Sequence, residues 1–215
     1  YTSNVYELII IDNGSTDGTL DMIQSEFPMV RFASQIKPGV SAARNMGISL
    51  ANSKWVALLD SDDAWAPNKL EKQIELSIDN SNSRLIHTDE IWYRNGRRVN
   101  QMKKHKKRGG NIFEDCLPLC CISPSSVLMR KDLFDDIGLF DEKLPVCEDY
   151  DMWLRITSKE SISYVDEPLT IKYGGHEDQL SSKFWGMDRF RIQSLEKLLN
   201  REYLNFKQEN AVYEI

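Results

Sequence analysis

The sequence predicts a three-layer α/β fold, and three observations carry that prediction. Leu8-Ile9-Ile10-Ile11 and Trp55-Val56-Ala57-Leu58-Leu59 are continuous apolar runs, the signature of strands buried on both faces of a parallel sheet. Stretches of helical character alternate with such runs, which sets helices against a mostly parallel sheet. Both runs end in acid, at Asp12 and at the cluster Asp60-Ser61-Asp62-Asp63. Carboxyl ends of strands are where open α/β sheets bind ligands.

The elements follow in order. Asn13-Gly14-Ser15 is a turn, and Ser15 or Thr16 is placed to cap a helix beginning near Asp17. Val30 to Ala33 reads as a short strand, and a helix follows from Ser41 to Leu50 through Pro38-Gly39. Pro67 sits where a first-turn proline belongs and opens a helix to about Ile78. Leu85 to Thr88 is a third strand. Asn95-Gly96, between Ile91-Trp92-Tyr93 and Val99, signals a hairpin. A short helix over Ile112 to Leu117, a strand over Ser126 to Met129 and a helix over Lys131 to Ile137 come next. Helices from Glu148 to Thr157 and from Met187 to Leu199 complete the pattern. With no repeat and no low-complexity linker, residues 1–215 read as one domain: a first half over 1–92, a second over 93–184 and a helical segment over 185–215.

Composition narrows the function. A chain of 215 residues with 41% hydrophobic and 28% charged residues can bury a sizeable core. Its net charge of -6 argues against nucleic acid as a partner. The basic run Lys103-Lys104-His105-Lys106-Lys107-Arg108 reads as a solvated loop, with a patch facing phosphates or an anionic membrane surface as the alternative. The four cysteines, Cys116, Cys120, Cys121 and Cys147, show neither zinc spacing nor a disulfide framework. They read as reduced thiols of a cytoplasmic protein. No apolar stretch reaches membrane-spanning length.

Three carboxylates within four residues repel one another, so Asp60, Asp62 and Asp63 call for compensation. A divalent cation such as Mn2+ or Mg2+ supplies it, because hard cations take oxygen ligands and bridge to substrate phosphates. Helix capping and simple solvation are the bland alternatives. Glu148-Asp149 at a helix start has its own bland reading, since exposed backbone N–H groups there favour acids.

Four segments, taken in order, resemble the family 2 glycosyltransferases of GT-A fold. They are Ile10 to Thr19 (IIDNGSTDGT), Gly39 to Gly47 (GVSAARNMG), Leu59 to Asp63 (LDSDD) and Glu148 to Arg155 (EDYDMWLR). The resemblance implies an α/β/α sandwich and transfer of a sugar from a nucleotide-diphosphate sugar, with a UDP-sugar the expected donor. It implies that Asp12 hydrogen-bonds the nucleobase and that Arg44 lies near the nucleotide, where a guanidinium suits diphosphate or a base face. By the same resemblance Asp62 ligates the metal, Asp60 meets ribose or metal-bound water, and Asp63 stands behind them. Asp149 is the implied general base for an acceptor hydroxyl, giving inversion in one displacement. Tyr173 to Ser181 resembles a late segment of some bacterial members, in which His176 would be a third metal ligand or a diphosphate contact.

Asn13 stands where the family often has a second aspartate. The family also opens with a strand and helix that this chain begins after, so Tyr1-Thr2-Ser3 reads as the tail of that helix. The missing strand would lie beside the one ending at Asp12, leaving a gap or an unpaired edge through which an oligomer could form. A Gln-x-x-Arg-Trp segment after Asp149 is lacking, which favours transfer of single sugars, with saccharides of a bacterial surface glycan as the implied acceptors. Trp65, Trp153 and Trp185 read mainly as core. Competing readings are a nucleotide-sugar-binding protein that does not catalyse, a two-carboxylate glycoside hydrolase, and a plain partner-binding α/β domain.

Overall fold

Ile9–Asp12 extends as strand β1 and pairs in parallel with β2 (Arg31–Ser34), with α1 (Thr19–Glu26) crossing between them. The computed structural model describes residues 6–100, 102–175, 184–201 and 203–215. Helix α1 starts two residues later than expected. Gly18 is its N-cap in a left-handed conformation (φ 82°), and Asp17 accepts from the Thr19 amide at 3.1 Å and hydroxyl at 2.6 Å. The carboxylate draws the chain into a tight turn that Ser15 and Thr16 do not make.

The chain continues through α2 (Val40–Leu50), β3 (Trp55–Ala57), β4 (Ala64–Trp65), α3 (Lys69–Asp79), β5 (Leu85–Arg94), β6 (Arg97–Val99) and α4 (Phe113–Cys116). It ends with β7 (Leu128–Arg130), α5 (Leu133–Ile137), α6 (Glu148–Thr157), β8 (Ser163–Gly174), α7 (Met187–Leu199) and α8 (Phe206–Tyr213). The larger sheet has the order β3-β7-β5-β8-β4, with β6 on the far end of β5. Among the described residues only β5 and β8 pair in parallel there; the β3–β7, β5–β7, β4–β8 and β5–β6 ladders are antiparallel. The sheet is therefore mixed rather than mostly parallel. A continuous apolar run reports burial on both faces, not the direction of the neighbour. Among the described residues no ladder joins β1 to β3, so the break in the sheet lies beside the strand that ends at Asp12.

Helices cover both faces. Leu85 and Ile86 point to opposite sides of β5, and each is fully buried. Leu85 joins a cluster with Ile112, Leu133, Trp153 and Val212, while Ile86 packs with Leu169 and with Leu76 of α3. Each such side chain contributes about 1.5–3 kcal/mol by leaving water.

Strand β8 has no counterpart among the expected elements. Pro168 at its centre cannot donate to a ladder. The structure tolerates it by shifting register: Thr88 faces Val165, Asp89 faces Pro168 and Glu90 faces Thr170. Helix α8 also went unread, although Asn205 and Gln208 form a reciprocal capping box at its start.

Three further expectations are corrected. Cys116 and Cys121 form a disulfide; five residues of separation across the end of α4 bring their Cα atoms to 5.4 Å, within bridging range. The pairing removes the thiol argument for a cytosolic location. Lys107 in the basic run is buried, not solvated, because Glu90 is its partner at 3.4 Å. Trp185 is 85% exposed rather than core, whereas Trp153 is 1% exposed. Among the described residues no helix is long and apolar enough to cross a membrane.

Candidate active site

The turn after β1 is built by its own side chains. The buried Asp12 carboxylate accepts from the Gly14 and Ser15 amides, both at 3.1 Å. Ser15, through hydroxyl and amide, holds the Asp12 carboxyl below the usual carboxylate range. Asn13 donates to the Gln35 and Lys37 carbonyls at 2.8 Å each and accepts from the Gly39 amide at 2.8 Å. Gly39 is the N-cap of α2, so Asn13 fastens the turn to that helix. An aspartate here could accept but not donate, which gives the asparagine a local reason.

One turn into α2, Arg44 carries the central contact. Its side chain is 10% exposed and its guanidinium forks, reaching Asp60 at 2.7 Å and Glu148 at 2.6 Å. Asp60 follows β3 and Glu148 opens α6, so one side chain ties the two acidic segments together. Burial opposes the charge on Arg44, but Asp60 and Glu148 more than offset it and hold its pKa above the ordinary arginine value. Burial pushes Glu148 up to about 7, with Asp149 adding to the rise and Arg44 opposing it. The loop behind is fixed to α2 and α6 alike. Asn45 donates to the Phe140 carbonyl and accepts from its amide, both at 2.9 Å. Arg155 donates to the Ile137 carbonyl at 2.7 Å and the Leu139 carbonyl at 2.9 Å while pairing with Asp151.

Asp149 begins where the backbone is unusual: Cys147, the N-cap of α6, sits at φ 61°. The Asp149 carboxylate accepts from the Tyr150 amide at 2.7 Å and from the Cys120 thiol at 3.3 Å. Burial pushes that thiol well above its usual value, so it remains a donor. Asp149 is half-buried, whereas Glu148 is buried beneath Arg44.

The acids after β3 divide their roles. The Asp60 amide donates to the Ser125 hydroxyl at 3.0 Å, which fixes the loop on the segment before β7. Asp63 is buried and paired with Lys172 of β8 at 2.9 Å; burial raises its pKa and Lys172 opposes the rise. Asp62 is exposed. Among the described residues no group of three His, Cys, Asp or Glu side chains forms a ready metal cage. Asp60 pairs with Arg44 and Asp63 with Lys172; a divalent ion that arrives with a diphosphate takes one or two carboxylates, and the exposed Asp62 is of the right chemistry for one. His176 lies outside the described residues.

Glu148, Lys172, Ser125 and Cys120 belong to this constellation and were not read as part of it. Glu148 was visible only as a helix-start acid. The other three come from distant segments, and nothing local marks them.

Behind the acidic loop, Lys69 is fully buried, with its ammonium over the Trp65 ring (4.2 Å) and donating to Gln73 at 2.8 Å. Burial lowers its pKa to about 7. Between that value and the ordinary 10.5 the unfolded chain holds a proton that the folded chain has released, so stability rises with pH across this window. We expect Lys69→Met to remove that rise, about 1.4 kcal/mol per pH unit at its steepest. Urea titrations at pH 7, 8 and 9 check it; identical pH slopes for both proteins would show that Lys69 is not depressed.

A model of the family described as glycosyl transferase family 2 matches residues 1–138. A Rickettsia felis protein described as an uncharacterized glycosyltransferase is 32% identical over 177 residues, covering 79% of this chain and 28% of its own length. The Escherichia coli enzyme UDP-Glc:alpha-D-GlcNAc-diphosphoundecaprenol beta-1,3-glucosyltransferase WfgD is 29% identical over 166 residues, covering 75% of this chain and 62% of its own. Among solved structures, S. aureus TarS 1-349 in complex with UDP-GlcNAc superimposes with a TM-score of 0.74 at 21% identity, covering 97% of this chain and 62% of that one. The mannosyltransferase PcManGT from Pyrobaculum calidifontis, in complex with GDP-Man and Mn2+, does so with a TM-score of 0.63 at 12% identity, covering 96% of this chain and 59% of that one. The chain thus spans between about a quarter and two thirds of the length of these proteins. The likeness to solved structures identifies the fold, the family match spans Asp12 and Asp60 to Asp63 but ends before Glu148, and the hydrolase alternative falls away. The chain belongs to glycosyltransferase family 2 and has the GT-A fold.

Proposed function

We propose that this chain transfers a single sugar, with inversion, from a UDP-sugar to a hydroxyl of a surface-glycan acceptor. One observation carries the reading: the Arg44 fork holds the loop of Asp60 and Asp62 against the helix start of Glu148 and Asp149. The donor-side loop and the acceptor-side helix start are thereby held side by side. Asp12 receives the nucleobase; its carboxylate has about four lone-pair sites and can accept a base N–H beside the two turn amides. Asp60 orients the ribose. Arg44 keeps both acidic segments in register and adds positive charge near the diphosphate. Asp62, with His176, would hold a divalent ion, which when bound neutralises charge on the departing nucleoside diphosphate.

Asp149 takes the proton from the acceptor hydroxyl. It is the accessible member of the acidic pair, held by one amide and one thiol, while Glu148 is taken by Arg44. A single accessible carboxylate on that side suits one displacement from the face opposite the phosphate. The donor assignment draws on the UDP-GlcNAc complex of TarS, and the acceptor class on the name of WfgD. A diphosphoundecaprenol acceptor is a lipid, which supports a reaction at a membrane surface, and we propose its cytoplasmic, inner face.

Calorimetric titration with UDP, with and without Mn2+, tests the donor site. We expect metal-dependent binding by the parent chain and loss of the metal dependence in Asp62→Ala. Binding that ignores both metal and Asp62 would end the donor-site reading. Metal-dependent UDP binding without transfer to any lipid-linked saccharide would instead favour a binding-only protein.

A further inference from the structure

A cleft of about 340 Å³ opens on the β5–β8 seam, apart from the acidic loop. That volume lies in the range of small-molecule sites. The register shift at Asp89 and Glu90 builds it. Bulges re-aim side chains and gather next to active sites; this one comes where β8 carries Asp166-Glu167-Pro168.

The lining has a definite chemistry. Trp92 and Tyr164 supply aromatic surface, Asp89, Glu90 and Asp166 supply carboxylates, and Arg98, Lys103, Lys106 and Lys107 supply cations. Both rings are anchored: the Trp92 indole N–H donates to Glu90 at 2.8 Å, and the Tyr164 hydroxyl donates to Asp166 at 3.2 Å. Charges of both signs face the same space. A polyanion would meet Asp89 and Asp166, and an apolar ligand would gain nothing from the charged lining. A neutral polyhydroxylated ring can bond to both signs of charge. Its hydroxyls donate to carboxylates and accept from cations, and its C–H face lies against an aromatic face.

Position supports the same ligand. Glu90 contacts Lys107, and the Lys107 ammonium donates to the Cys121 carbonyl at 2.9 Å. The neighbouring Cys120 donates its thiol proton to Asp149. The cleft thus lies one ion pair and one loop away from Asp149. We infer that it is a saccharide subsite on the acceptor side of the base. Its acceptor role rests on the proposed function, but saccharide binding does not.

The test follows the Trp92 indole N–H in 1H–15N spectra, assigned by its loss in Trp92→Phe, on chain free of donor and metal. The probes are glucose, galactose, N-acetylglucosamine and their β-1,4-linked disaccharides, with inorganic phosphate as the anion control. At least one saccharide should shift the signal saturably, and Asp166→Ala and Arg98→Ala should each weaken that binding about ten-fold. Both residues are exposed, so neither replacement threatens the fold. The inference is overturned if no saccharide moves the signal, if phosphate displaces the sugar, or if binding ignores both substitutions. Saccharide binding by a chain that fails to bind UDP would sink the donor reading alone.

Discussion

Replacing Asp149 with asparagine lowers kcat for sugar transfer by about 10²–10⁴-fold and leaves metal-dependent UDP binding in place. The amide keeps the size of the side chain and can still accept from the Tyr150 amide, a 2.7 Å contact in the parent. What it loses is the capacity to take a proton. Asp149 is half-exposed, whereas the adjacent Glu148 is 5% exposed with an oxygen 2.6 Å from Arg44, so the neighbour cannot substitute. Initial rates over a pH series, beside UDP titration of the same sample, separate the two effects. Activity close to that of the parent would remove Asp149 from the role of base. A parallel loss of UDP binding would make it a donor-site residue instead.

Arg44→Met destabilises the fold by about 3–5 kcal/mol, the usual cost of removing one partner from a buried ion pair. For a chain of this size that corresponds to a fall in Tm of about 6–20 °C. The loss should depend on pH in a definite sense. Glu148 titrates near 7 in the parent fold against 4.5 for an ordinary glutamate, so the folded state holds the extra proton between those values. Stability from this group is complete below pH 4.5 and is lost as pH rises through the window. Without the guanidinium the folded pKa climbs further and the window widens upward. The deficit of the variant should therefore be smallest near pH 5 and grow through pH 8, and combining it with Glu148→Gln should flatten that growth. A deficit that ignores pH would mean Glu148 does not depend on Arg44 for its charge.

The elements that sequence marked well are those whose pattern is local. The run ending at Asp12 and the helices Glu148–Thr157 and Met187–Leu199 were legible because burial and helical character repeat within a few residues. The Asn95-Gly96 hairpin was legible because both residues take positive φ, 50° and 73°, as that turn demands. Strand β8 was not legible, for the converse reason. Pro168 forbids a regular ladder, and the bulge that accommodates it exists only when β5 lies alongside.

The candidate site divides along the same line. The sequence by itself determined which carboxylates are available, Asp12, Asp60, Asp62 and Asp149, and that they follow strands or begin a helix. Their order along the chain was enough to bring out the family resemblance. Only the tertiary structure decided what those carboxylates meet. Arg44 reaches Glu148 across 104 residues of sequence, Lys172 reaches Asp63 across 109, and Cys120 finds Asp149 across 29. Such pairings carry no local signature, because a buried charge is satisfied by whichever partner the packed elements bring within hydrogen-bond reach.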